Sequence, residues 1–220
     1  MNLIALKFSI MITTIAMTAM LAGVFLADIY REQDSRAMLL PNQGMKLLAH
    51  PQPLTAFALT DHKSREFDLA RLKGKWSFLV FGFTHCPDVC PATLAVLASA
   101  RDKIIKNTVG PDDIQFVFIS VDPGRDTPAN LGQYVEYFDT TFLGVTGDNA
   151  QIGNLAGQLS AAYEVGIAPG VENYPVFHTA AVFLLDPRAR YHAVFTPPHD
   201  ADAIRKRFNV VRELERGDAP

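Results

Sequence analysis

The stretch Trp76-Ser-Phe-Leu-Val-Phe-Gly-Phe-Thr-His-Cys-Pro-Asp-Val-Cys-Pro91 decides how this chain folds. Its first half, Trp76 to Phe83, is a continuous apolar run of strand length, the kind that is buried on both faces of a sheet. The run leads directly into Cys86-Pro-Asp-Val-Cys90, which holds the only two cysteines of the 220 residues. Beyond Pro91, residues Thr93 to Ile105 carry Leu94, Val96, Leu97, Ala100 and Ile104 at helical spacing. The cysteines therefore sit where a buried strand hands over to a helix.

The same alternation continues downstream. Ile114 to Val121 reads as a second buried strand, and Thr127-Pro128 reads as an N-cap followed by the first helical position. A short strand is expected near Phe142 to Thr146 and a helix near Asn149 to Ala162. Val176 to Leu185 reads as one further strand, Pro187 to Arg190 as a turn, Tyr191 to Thr196 as its partner strand and Asp200 to Leu214 as a closing helix. Upstream, Leu54 to Thr60 reads as a strand and Phe67 to Leu72 as a short helical turn. This pattern predicts an α/β fold, a mixed central sheet with helices on both faces. A motif at the strand-to-helix handover is the layout of a thioredoxin-like domain.

About half the residues, 49%, are apolar, enough for a sizeable core, and the net charge is −3. No basic tract is present, so nucleic acid is not an expected partner. Phe8 to Ala27 is uncharged and, as a helix, would span roughly 30 Å, the hydrocarbon thickness of a bilayer. It reads as a membrane anchor or a cleaved signal peptide, and its uninterrupted length favours the anchor. Leu21-Ala-Gly23 is followed by Val24 rather than Cys, which argues against lipid attachment. The expected organisation is an N-terminal transmembrane helix over 1–27, a polar tether over 28–52 and a folded domain over 53–220.

Cys86 and Cys90 lie four apart. If a helix begins near Pro87, the two sulfurs are about one turn apart on one face. Such a pair can share one soft metal ion or close a disulfide. It closes too small a loop to staple a fold. A position at the helix N-terminus is expected to lower the Cys86 thiol pKa, with Asp88 opposing the shift. Asp88 has a sufficient structural explanation in the helix dipole alone.

Two thiolates suit Cu(I) or Zn, and a third ligand is usually an imidazole. Of the six histidines, His50 and His62 are expected at the solvated surface, and His85 in an exposed loop. His192 and His199 are expected near the far hairpin. His178 opens an apolar strand whose start faces the motif loop. By position alone a lone His here is more often a satisfied core residue than a ligand. Asp122, Arg125 and Asp126, in Ser120-Val-Asp-Pro-Gly-Arg-Asp-Thr-Pro128, are expected at the same sheet edge, as a charged capped loop or as part of a site.

Three segments together resemble the Sco/SenC family of copper-binding assembly factors for cytochrome c oxidase. They are Phe81-Gly-Phe-Thr-His-Cys-Pro-Asp-Val-Cys-Pro91, Ser120 to Pro128, and the His178 strand ending Leu184-Leu-Asp-Pro187. The resemblance covers about residues 54–214. It implies that Cys86, Cys90 and His178 bind one copper ion, Cu(I) or Cu(II), in a thioredoxin-like domain. It also implies a single-pass tether to a bacterial inner membrane, with the domain in the periplasm. The implied partner is a copper-containing oxidase subunit, alongside other copper chaperones or thiol reductants.

Two departures stand out. Phe177 occupies the position before the metal His where the family commonly has Asp, and Pro187-Arg-Ala-Arg190 lacks the usual Gly. The alternative reading is a thiol–disulfide oxidoreductase that keeps an oxidase subunit reduced, although such proteins typically use Cys-x-x-Cys. A peroxiredoxin-type peroxidase is disfavoured, because Phe83 and Pro87 stand where a Thr would be required. An interaction module with incidental thiols fits poorly with the exposed-looking loop.

Overall fold

The computed structural model describes residues 44–106, 113–166 and 174–217, together with Met17 and Met20. Most of the expected membrane segment, Phe8 to Ala27, lies outside the described residues. Among those described, no helix is long and apolar enough to cross a membrane.

The centre is a parallel trio. Strand β4 (Trp76–Gly82) pairs with β5 (Ile114–Ser120) from Trp76↔Ile114 to Gly82↔Ser120, and β5 pairs with β6 (Leu143–Thr146). Antiparallel strands complete both sides: β9 (Val182–Leu185), β10 (Arg190–Phe195) and β1 (Met45–Pro53) on one, β2 (Ala58–Asp61) and β3 (Glu66–Asp68) on the other. The order is β1-β10-β9-β4-β5-β6-β2-β3, a mixed central sheet as expected. All seven residues of β4 are buried, which is why this strand reads as unbroken apolar sequence.

Alternation along β4 feeds two cores. Phe78 stacks on Phe116 at 4.6 Å and meets Phe208 edge-on at 5.1 Å, under helix α5 (Ala201–Gly217). Leu79 and Phe81 face the other way, into a cluster with Ile152 and Leu155 of helix α4 (Asn149–Gln158). Each such side chain contributes on the order of 2 kcal/mol by burial. The remaining helices are α1 (Leu69–Leu72), α2 (Val89–Ile105) and α3 (Pro128–Phe138). Thr127 caps α3 by accepting from Asn130 N, with Pro128 at its start, as the sequence predicts.

Three expectations change. Residues 45–53 belong to the sheet and not to a tether: β1 pairs with β10, and Pro51 and Pro53 are tolerated because β1 is an edge strand. Helix α2 begins at Val89, with Asp88 as N-cap, two residues later than Pro87. The expected strand Val176 to Leu185 is two strands. Its first part, β8 (Val176–His178), pairs with β7 (Tyr163–Val165) in a separate two-stranded sheet, and only β9 joins the centre. The break falls at residues 179–181. There Thr179 turns its backbone N–H and hydroxyl to the Ala162 carbonyl (2.8 and 3.0 Å) and accepts from Ala162 N (2.9 Å).

The turn lacking the usual Gly is built like another in the same chain. Asp186 and Asp61 each accept from two backbone N–H groups of their own turn and from the Nε of an Arg four residues on, Arg190 and Arg65. The residue before each Arg is left-handed: Ala189 at φ 57° and Ser64 at φ 58°. This is the conformation for which Gly is ordinarily selected.

Candidate metal centre

Cys86 lies in the turn after β4, where its N–H donates to the Phe83 carbonyl at 3.2 Å. Cys90 is the second residue of α2 and is 1% exposed; Cys86 is 9% exposed. Both are free thiols. Because the helix starts late, Cys86 is outside it and Cys90 is in its first turn. Burial pushes the Cys90 thiol well above its ordinary range; a hydrogen bond from the Phe83 backbone works against this, and the neighbouring Cys86 adds to the shift.

His178, 88 residues along the chain from Cys90, brings its Nε2 to 3.2 Å from the Cys90 Sγ. The ligand atoms of Cys86, Cys90 and His178 all lie within 4.8 Å of one another. The His178 Nδ1 faces the Thr179 carbonyl at 3.3 Å. A carbonyl only accepts, so Nδ1 carries the proton and Nε2 presents its lone pair to the sulfurs. Burial lowers the His178 pKa, which keeps the ring neutral and suited to ligation. The Phe83 ring packs edge-on to this imidazole at 6.0 Å. A buried set of two sulfurs and one neutral imidazole matches a soft ion such as Cu(I).

The second motif supports the first from below. Asp126, fully buried, accepts from Thr84 N at 2.9 Å, from Ser120 Oγ at 2.6 Å and from the Thr84 hydroxyl. It thereby pins the residues just before the cysteines to the end of β5. Asp122 and Arg125 do something else. Asp122 accepts from Arg125 Nε and from the Tyr174 hydroxyl, and the Arg125 guanidinium lies 3.8 Å over the Tyr174 ring. This cluster anchors the chain four residues before His178. Tyr174 had no signal in the sequence, since its partners are 49 and more positions away.

The other histidines sort out by contact. His85 is exposed, with Nδ1 3.1 Å from the Thr84 hydroxyl. His62 is not a surface residue: its side chain is 3% exposed and its Nδ1 accepts from Gly144 N at 3.1 Å. His192 is buried beneath the β9–β10 turn, whereas His199 lies at the opposite end of that hairpin, beside Ala180. The antiparallel return of β10 along β9 brings it there. Phe177 is 66% exposed and, by strand alternation, points away from the His178 imidazole.

A second trio, Asp186, His192 and Glu215, also brings ligand atoms within 4.8 Å. Arg190 already fills it, with Nε 2.6 Å from Asp186 Oδ2 and Nη2 3.2 Å from Glu215 Oε2. The other Asp186 oxygen takes two backbone N–H groups. The guanidinium supplies the positive charge there, and the trio is a buried structural ion network.

The family model described as SCO1/SenC matches residues 48–212. This chain belongs to the SCO1/SenC family. Its curated relatives include protein sco1 of Schizosaccharomyces pombe, 34% identical over 168 residues, which span 74% of this chain and 63% of that protein. The human mitochondrial SCO1 homolog is 32% identical over 182 residues, 81% of this chain and 59% of that protein. The chain thus spans about three-fifths of the length of these relatives. Among solved structures, Arabidopsis thaliana ScoI with copper bound has a TM-score of 0.65 at 35% identity, covering 74% of this chain and 98% of that one. The copper-bound ScoI of Bradyrhizobium japonicum has a TM-score of 0.63 at 30% identity, covering 72% of this chain and 99% of that one. The Sco fold of these proteins is the mixed, thioredoxin-like α/β architecture described above.

Proposed function

We propose that this Sco-family chain binds one copper ion through Cys86, Cys90 and His178 and helps assemble a copper centre of cytochrome c oxidase. The observation that carries the copper reading is the convergence of three soft or borderline ligand atoms within 4.8 Å, drawn from a turn, a helix and a separate two-stranded sheet. A structural histidine has no need of two sulfurs, whereas one soft metal ion uses all three ligand atoms at once. Copper bound in the related ScoI structures supports the same reading.

Loading requires both thiols. A Cys86–Cys90 disulfide uses the sulfur valences that Cu(I) needs, so two electrons and two protons must reach the pair before copper enters. Copper then displaces the thiol protons, which matters most at Cys90, where burial holds the proton tightly. The thiol–disulfide reductase reading is weaker because the pair is spaced Cys-x-x-x-Cys, one residue longer than the usual redox motif, and because the His178 Nε2 stands 3.2 Å from the Cys90 Sγ as a third ligand.

In the cell, the domain is proposed to stand on the periplasmic side of a bacterial inner membrane. Residues 1–27 would act as a single-pass anchor, joined by a tether that ends before β1. The partner is a copper-containing oxidase subunit. Copper titration of reduced wild type and His178→Ala tests the central claim. With Cu(II), one copper per chain with a thiolate-to-copper absorption band is expected for wild type, and a shifted or weakened band with at least tenfold weaker binding for the variant. An unchanged spectrum and affinity in His178→Ala would refute the three-ligand site.

A further inference from the structure

The third ligand is carried on the two-stranded sheet, apart from the central sheet whose strand β4 leads into the two cysteines, and the chain joins the two sheets across residues 179–181. On one side this crossing is tied by Thr179 to Ala162. On the other side it faces the start of α2, the helix that carries Cys90. Between them lies a gap of about 190 Å³, lined by Asp88, Val89, Thr93, Ala180, Pro197 and His199. Side-chain packing does not fill this gap. The His199 side chain reaches from the body of the domain to the crossing: its Nε2 is 3.0 Å from the Ala180 carbonyl.

We propose that His199 is a positioning residue for His178, its Nε2–H holding the Ala180 carbonyl and so fixing the segment that presents the third ligand. This inference rests on the copper reading of Cys86, Cys90 and His178. The tautomer follows from the partner: a carbonyl only accepts, so Nε2 carries the proton. The Nδ1 is buried with no hydrogen-bond partner, so the ring is neutral and spends its one N–H on Ala180. Burial, which lowers the His199 pKa, keeps it in that form.

The base from which His199 reaches is tied to a helix. Asp200 follows immediately and caps α5, accepting from Ala203 N at 2.8 Å and, through its carbonyl, from Ile204 N at 2.9 Å. Helix α5 is in turn bridged to α2 by the Asp202–Lys103 ion pair. Cys90, α2, α5 and His199 thus form one connected frame. The bond to Ala180 extends that frame to within two residues of His178, so it sets the sulfur-to-imidazole separation as well as supporting the loop.

The test compares His199→Leu, which keeps the bulk and loses the donor, with His199→Gln, whose terminal amide can donate where Nε2 does. Full-length reduced protein is first studied without metal, by NMR of the His178 ring and of the Thr179 and Ala181 amides. The Leu variant is expected to show broadened or averaged His178 ring signals and faster amide exchange, and the Gln variant to resemble wild type. With Cu(I) bound, release to a competing chelator is expected to be about tenfold faster for Leu and within about twofold of wild type for Gln, the scale of one lost hydrogen bond. If the Leu variant does not fold, His199→Asn replaces it; its amide stops where Nδ1 sits and is expected to behave as donor-free. Wild-type ring signals and release rate in the donor-free variant would overturn the proposal. Failure of wild type itself to take up copper would defeat the copper reading alone, and the metal-free spectra would still decide whether His199 positions His178.

Discussion

Gly82 and Cys90 are packed so closely that a Cβ on Gly82 would stand 2.7 Å from the Cys90 sulfur. The same Cβ would stand 2.6 Å from the Phe118 ring. The last residue of β4 therefore has to be glycine for the first turn of α2 to bring its thiol down onto the sheet. Gly82→Ala is expected to cost about 1–3 kcal/mol by overpacking. About 1.4 kcal/mol of strain felt at the thiol would also weaken copper binding roughly tenfold, with all three ligands still present. Denaturant unfolding and chelator competition measure the two effects. Gly157→Ala, where an added Cβ meets nothing within 4 Å, is the control.

Asp126 is a buried carboxylate held by three donors, Thr84 N, Thr84 Oγ1 and Ser120 Oγ. Asp126→Asn turns one acceptor oxygen into a donor, reverses the bond with the Thr84 hydroxyl and removes the charge that strengthens all three. A loss of about 2–3 kcal/mol is expected in urea unfolding. Because Thr84 lies two residues before Cys86, copper release should also quicken, read by the rate of transfer to a chelator.

Ala189 holds a left-handed conformation at φ 57°. A Cβ there costs about 1–2 kcal/mol, partly offset by the greater freedom of glycine in the unfolded chain. Ala189→Gly relieves that strain but also removes a methyl buried in the core, worth about 0.8 kcal/mol, so stability is expected to change by less than about 0.5 kcal/mol, without moving the copper site, since the turn lies at the opposite end of the β9–β10 hairpin. A thermal melt together with an unchanged copper spectrum checks both parts.

Asp186 gives the fold an acid limit. Burial works against its charge, but His192, Arg190 and the Arg190 backbone N–H outweigh burial and bring its carboxyl to about 2. A carboxyl depressed in the fold contributes stability above its unfolded pKa, near 3.9, and loses that contribution as pH falls through its folded value. The wild type is therefore expected to lose about 2 kcal/mol more than Asp186→Asn between about pH 5 and pH 2. Urea unfolding as a function of pH measures the difference, and parallel curves would exclude Asp186 as the titrating group.

Much of this protein was readable from local chain chemistry. Apolar runs of strand length located β4 and β5, Thr127-Pro128 located the start of α3, and the cysteine motif with Ser120 to Pro128 pointed to the family. These signals lie within a few residues of one another, where side-chain periodicity and backbone preference act directly. Tertiary structure alone decided what happens between distant segments. Nothing local distinguishes Val176 to His178 from Val182 to Leu185, yet pairing with β7 draws the first into another sheet and pairing with β4 keeps the second in the centre. Nor does any local signal show that the His199 ring reaches Ala180, or that Tyr174 is held by Asp122. The Cys90–His178 contact joins positions 88 apart. The sequence specified its donors, two thiols and an imidazole. Their approach to 3.2 Å depends on strand register, the late start of α2 and the absence of a side chain at Gly82.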